Sequence, residues 1–162
     1  MLSQKLVYNS PTHGPLTPEN LKNKVSSYIS TVRENKYKII VGADSQRTKK
    51  GSYDFVVALA IHRVGSGGVY FWRRELISQK MSLKERMYRE AIMSLQSAED
   101  LSELFRDNGI SKYDVEIHVD IGPNGDTKEL ISEISGMVRA NGYEVKIKPD
   151  SFGASKVADR HT

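Results

Sequence analysis

The chain has 162 residues, 38% of them hydrophobic and 27% charged, with a net charge of +4 and no cysteine. That length and balance fit one globular domain with a full core. The missing cysteine excludes disulfides, thiolate catalysis and Cys-based zinc sites. The longest apolar run, Phe55 to Ile61, is far too short to span a bilayer, and MLSQKLVYNS at the start lacks the apolar core of a signal peptide. A cytoplasmic protein without a membrane partner is the expectation. The positive charge permits a polyanion partner but does not establish one.

Residues 1–16, with Pro11, Gly14 and Pro15, read as an irregular lead-in. Thr17-Pro18-Glu19 marks a helix start, with Thr as N-cap and Pro in the first position. Leu21, Val25, Tyr28, Ile29 and Val32 give it an apolar stripe, and the helix should run to about Asn35. IIVGADSQ, residues 39–46, reads as a buried central strand that ends on Asp44. RTKKGS (47–52) is a basic turn, Tyr53 to Arg63 a strand, VGSGG (64–68) a turn, and Val69 to Ser78 a strand. Turns this short imply an antiparallel three-stranded meander.

Ser82 and Glu85 fit a capping box opening a long helix, with Met87, Ala91, Leu95, Ala98, Leu101 and Phe105 buried and Asp107-Asn108-Gly109 as its end. VEIHVDIG (115–122) repeats the strand-to-carboxylate design and ends on Asp120. Asp126 can cap a third helix with the stripe Leu130, Ile131, Ile134, Met137 and Val138. Tyr143 to Lys148 reads as an edge strand, with Val145 and Ile147 inward and Glu144, Lys146 and Lys148 outward. Residues 151–162 read as a short terminal helix. Right-handed crossovers after the meander make the last strands parallel. The expected architecture is a mixed five-stranded α/β sheet with helices on both faces.

Ligands in open α/β sheets bind outside the carboxyl ends of the parallel strands. Asp44 and Asp120 both arrive there, on strands joined by a crossover. The long helix must cross the sheet nearby and offers Glu85 and Glu90. Glu85 has a local role in the capping box, and Glu90 flanks the buried stripe, so Glu90 is preferred. Asp159, in VADRHT, is the last candidate, although its place off the terminal helix's apolar stripe also suits a solvated residue. Converging carboxylates repel unless a hard cation joins them. Oxygen-rich sites suit Mg2+ or Mn2+, and two such ions about 4 Å apart can activate water and stabilise a leaving oxygen.

The element order and the positions of these acids resemble the ribonuclease H fold. VGADSQ, FVVALAIHR, EIHVDIGPNGDTKELI, GMVRANGYEVKIKPDSFGAS and KVADR are similar to a bacterial ribonuclease H-like family of unassigned function, the YkuK type. These segments span most of residues 37–162. The resemblance implies one ribonuclease H-like domain, with residues 1–36 as a lead-in and extra helix and 37–162 as the core. It implies a two-metal nuclease site: Asp44 bridging both metals, Asp120 from the fourth strand, Asp159 from the last helix and Glu90 from the intervening helix. In-line attack would leave a 3′-hydroxyl and a 5′-phosphate. Departures are the single helix between strands four and five, the extra first helix, and the absence of a clear catalytic His before Asp159.

Other marked residues have two readings each. His118 shares a strand face with Asp120 and could tune a metal or be a satisfied core histidine. Ser45 and Gln46 could bind phosphate or a 2′-hydroxyl, or serve a turn. Asp150 is a metal candidate or the terminal helix's N-cap. Arg47, Lys49 and Lys50, with Arg73, Arg74, Lys80, Lys84, Arg86 and Arg89 later and Tyr70 and Trp72 near them, would suit nucleic-acid phosphates and bases if they surround the carboxylates. Three functions follow: a metal-dependent nuclease on RNA, RNA–DNA hybrid or DNA, a nucleic-acid-binding module without efficient cleavage, and a protein-interaction domain. Oligomeric state is not legible.

Overall fold

β1 comprises Tyr37–Arg47. Ile39, Val41, Ala43 and Ser45 are buried on one face, and Lys38, Ile40, Asp44 and Gln46 alternate to the other. The structure, a computed structural model, describes residues 7–31, 36–65, 67–106, 114–148 and 150–151. A tight turn follows β1: Thr48 N–H donates to the Ser52 carbonyl at 2.8 Å, and Gly51 adopts φ +85°, where a side chain would be strained. The chain returns as β2 (Tyr53–Arg63) and again as β3 (Gly68–Ile77), both antiparallel to their predecessors. The meander expected from the short turns is present.

The helix α1 (Pro18–Thr31) precedes β1 and buries Leu21 and Val25. Thr17 Oγ1 accepts the Asn20 N–H at 3.2 Å, the expected cap. Its last turn is fastened to the sheet by Arg63, whose Nη2 donates to the Tyr28 carbonyl at 2.9 Å while the guanidinium lies 4.2 Å over the Tyr28 ring. Residues 32–35, into which this helix was expected to continue, lie outside the described residues.

The helix α2 (Leu83–Leu104) crosses the sheet after the meander. Ser82 Oγ accepts the Glu85 N–H at 3.1 Å, so the capping serine acts as the spacing indicates. β4 (Val115–His118) then pairs parallel to β1, and β5 (Glu144–Lys146) pairs parallel to β4 after α3 (Ile131–Ala140). The order across the five-stranded sheet is β3-β2-β1-β4-β5, so β5 is an edge strand as its alternation suggests.

The main core is one apolar cluster between the Ile39–Val41–Ala43 face of β1 and the three described helices. The opposite face carries a small apolar patch, Val56 and Ala58 with Ile40 and Trp72 against them. The terminal helix expected over residues 151–162 lies outside the described residues, apart from the buried Ser151.

Two boundaries differ from the expectation. β4 stops pairing with β1 at His118, and beyond it the backbone bonds toward β5 and the residues after it: Val119 N–H to the Lys146 carbonyl at 2.9 Å, and Lys148 N–H to the Ile121 carbonyl at 2.8 Å. Asp126 does not cap α3. A 3-10 turn over Lys128–Leu130 precedes that helix, with Leu130 N–H bonded to the Thr127 carbonyl at 3.0 Å, and Leu130 stands at the helix N-cap without a side-chain bond. The tight turn satisfies donors that a capping carboxylate would otherwise take.

Because Ser82 supplies a side-chain acceptor at the start of a 22-residue helix, Ser82→Ala should lower stability by about 1 kcal/mol. Urea unfolding with an unchanged slope is the check; no loss would mean that solvent satisfies this helix end equally well.

Candidate functional site

The parallel register of β1 with β4 ends on the pair Gly42 and His118. Two residues beyond that pair stand Asp44, still within β1, and Asp120, past the end of β4, both near the carboxyl edge of the sheet. Both are half-buried. Alternation along β1 places Asp44 on the face opposite Ser45. Alternation along β4 places Asp120 on the side of Glu116 and His118, away from the core residues Val115 and Ile117.

Glu90 reaches the same edge from α2. It is 4% exposed, and Ser45 Oγ donates to its Oε2 at 3.2 Å. Arg86, one turn earlier, donates from Nε to Ser45 Oγ at 3.2 Å and from Nη2 to the Ser45 carbonyl at 2.7 Å. Its guanidinium lies 5.0 Å from the centre of the Tyr53 ring. Burial pushes the Glu90 carboxyl well above the usual range, and the Asp44 charge and then the weaker Asp120 charge push the same way. The Ser45 hydrogen bond and the Arg86 charge oppose them. Glu85 is exposed, with its N–H at the Ser82 cap.

A second polar group lies on the Asp120 side of β4. Glu116 and His118 are buried, with His118 Nε2 and Glu116 Oε1 3.2 Å apart, and Lys38 Nζ lies 2.8 Å from Glu116 Oε2. Burial pushes Glu116 up, but the Lys38 and His118 hydrogen bonds outweigh it and leave the group below its ordinary value. Burial lowers His118, opposed by Glu116. His118 thus has one satisfied nitrogen, while Nδ1 has no partner among the described residues. Asp120 itself has a cation beside it: Lys148 Nζ is 3.1 Å from Oδ1.

The edge therefore brings Asp44 and Asp120 within electrostatic reach of Glu90. Asp159 lies outside the described residues, as does His161. Among the described residues, no three His, Asp or Glu side chains are drawn close enough together to hold a metal ion. The donor chemistry nonetheless fits a hard cation, since all three groups offer oxygen and the displaced Glu90 pKa reflects burial and repulsion that a cation would relieve.

Of the residues considered for nucleic acid, Ser45 is buried in the Glu90 network, whereas Gln46, Arg47, Lys49 and Lys50 are exposed. Arg47 lines a cavity of about 350 Å3 together with Tyr53, Lys80, Met81, Ser82 and Glu85. Tyr53 is held there by its hydroxyl, which donates to the Met81 carbonyl at 3.0 Å. Tyr70 and Trp72 form a tilted ring pair with centroids 6.0 Å apart on β3, and Asp150 is exposed. Sequence reasoning considered Arg86 only for phosphate contacts and gave Lys148 and Glu116 no role at the site. Arg86 stands four residues before Glu90, a helical pairing distance that could have joined the two. Lys148 and Glu116 carried no such signal, because their partners are set by strand register.

The model of the ribonuclease H-like family matches residues 20–162, and the chain belongs to this family. It is 29% identical over 174 aligned positions to the uncharacterized protein YkuK of Bacillus subtilis (strain 168), an alignment covering 100% of this chain and 99% of that one. No helix of the described residues is long and apolar enough to cross a membrane.

A buried carboxyl whose pKa is raised on folding binds its proton more tightly in the native state than in the unfolded one. Its contribution to stability is therefore present below the unfolded value of 4.5 and lost as pH rises from there toward the raised folded value. Glu90→Gln should match wild type in thermal midpoint near pH 4 and exceed it by a few degrees at pH 7 in chelator. Equal midpoints at both pH values would remove Glu90 from its buried, charge-repelled setting.

Proposed function

We propose that the chain is a metal-dependent phosphodiesterase that hydrolyses RNA, RNA–DNA hybrid or DNA. The observation that carries this reading is the convergence of the Asp44 and Asp120 charges on the buried Glu90 near the carboxyl edge of the sheet, in a ribonuclease H-like chain. Asp44, Glu90 and Asp120, with Asp159 as the fourth group, would hold two Mg2+ or Mn2+ ions. Bound there, such ions supply water activation and stabilise the leaving oxygen of a phosphodiester.

The chain's own groups support this chemistry in distinct ways. Asp44 and Asp120 provide half-buried carboxylates near the carboxyl edge of the sheet. Glu90 is aimed by Ser45, which Arg86 fixes through both its hydroxyl and its carbonyl. That arrangement holds a buried carboxylate in one rotamer, the kind of pre-organisation an electrostatic site needs. Arg47 and Lys80, in the cavity beside this network, offer two positive charges to a phosphate backbone, and the exposed Gln46, Lys49 and Lys50 extend the same surface.

A second reading is a binding module that retains the surface without efficient turnover. The Lys148 ammonium on Asp120 favours it, since that carboxylate already has a counter-charge.

Manganese titration by calorimetry followed by a cleavage screen on RNA, hybrid and DNA separates the readings. On the nuclease reading, wild type binds Mn2+ and cleaves, and Asp44→Asn weakens binding and reduces the rate roughly a hundredfold or more, as for loss of a pre-organised charge. Salt-sensitive binding that Asp44→Asn leaves intact, with no cleavage in either protein, selects the binding module.

The cavity makes a separate prediction. Arg47→Ala should weaken nucleic-acid binding across sequences and reduce the log–log salt slope by about 1. An unchanged slope would place the backbone contacts elsewhere.

A further inference from the structure

We infer that Lys148 is a resident counter-ion of the carboxylate edge: its ammonium holds Asp120, and a divalent cation must displace it to use that carboxylate. The inference rests on the metal-site reading proposed above and adds a residue to it.

Three features put the ammonium there. Past the last paired residues, His118 and Lys146, Lys148 comes alongside the Asp120–Gly122 segment. The Lys148 N–H donates to the Ile121 carbonyl at 2.8 Å, which fixes the backbone from which the side chain starts. The side chain then runs across the bare Cα of Gly122. A Cβ at that glycine would lie 2.8 Å from Lys148 Cβ and 3.4 Å from its Cδ, too close for any other residue to stand there unmoved. The stem is thereby directed to Asp120, where Nζ and Oδ1 are 3.1 Å apart.

The neighbouring lysines are committed elsewhere. Lys146 pairs with Glu144 at 3.0 Å and Lys38 with Glu116 at 2.8 Å. Lys148 thus pairs with Asp120 just past the ends of β5 and β4.

The pair is exposed, 54% at Lys148 and 40% at Asp120, so it is labile. Exposed ion pairs contribute up to about 1 kcal/mol, which corresponds to a factor of about five in a competing equilibrium. A divalent ion in direct contact with the carboxylate can overcome that competition, but at a higher free concentration than an uncompeted carboxylate would need. Lys148 is accordingly a positioning residue that acts through Asp120.

The test is calorimetric titration of Mn2+ into the full chain at fixed ionic strength, with thermal midpoints recorded for each protein. Lys148→Met should tighten Mn2+ binding about fivefold, and Lys148→Arg should stay close to wild type. Lys146→Met, which removes an equal charge nearby, should leave the affinity unchanged. In an Asp120→Asn background, Lys148→Met should have no effect, as a double-mutant cycle requires for a pairwise contact. Gly122→Ala, which displaces the stem without removing the charge, should shift the affinity in the same direction as Lys148→Met.

An unchanged affinity in Lys148→Met, an equal gain in Lys146→Met, or a gain that survives Asp120→Asn would overturn the inference while leaving the metal site standing. Failure of every protein to bind Mn2+ would overturn the inference and the metal-site reading together.

Discussion

The parallel register between β1 and β4 is the constraint on which the site depends. It spans four residue pairs, from Ile39 with Val115 to Gly42 with His118. Val115 and Ile117 enter the core, while Glu116 and His118 take the other face. A slip of one residue would turn Glu116 and His118 into the apolar cluster, which burial costs forbid. The apolar alternation thus sets the register, and the register brings the segments that carry Asp44 and Asp120 side by side. A feature selected by core packing determines which segments carry the two carboxylates to that edge.

Glu90 shows the opposite balance. Its burial beside Asp44 opposes stability, and Ser45 and Arg86 offset it. A folded chain tolerates such a group when the remainder of the core is well packed, and here α2 buries Met87, Ala91, Leu95, Ala98 and Leu101 along the same helix. Carboxylates held in this way are common where function needs them, because activity and stability then make different demands on one residue.

The polar face of β4 and β5 follows the same logic at lower cost. Three ion pairs, Lys38–Glu116, Glu144–Lys146 and Lys148–Asp120, cover strands whose other side is apolar. Alternating charges keep an edge strand soluble and resist edge-to-edge pairing. The last of these pairs falls on the carboxylate edge itself, so a surface device and a functional group share one residue.

Local chemistry made much of this protein legible from its sequence. The period-two and helical stripes gave the strands of the meander, both central strands, the long helix with its Ser82 cap, and the edge position of β5, because each depends on neighbours within a few residues. Asp44 and Asp120 could be placed at one sheet edge for the same reason, and the family resemblance of the segments around them agrees with the family the chain belongs to. Tertiary structure alone decided most of the rest. The end of β4 pairing at His118 depends on hydrogen bonds between distant segments, whereas the 3-10 turn that displaced Asp126 from its helix is a local choice that periodicity does not report. The Ser45–Glu90–Arg86 network and the approach of Lys148 to Asp120 also join distant segments, with partners 28 to 45 positions apart in the chain apart from the Arg86–Glu90 step within one helix. Sequence periodicity reports which face a side chain takes, but only packing reports what stands opposite it.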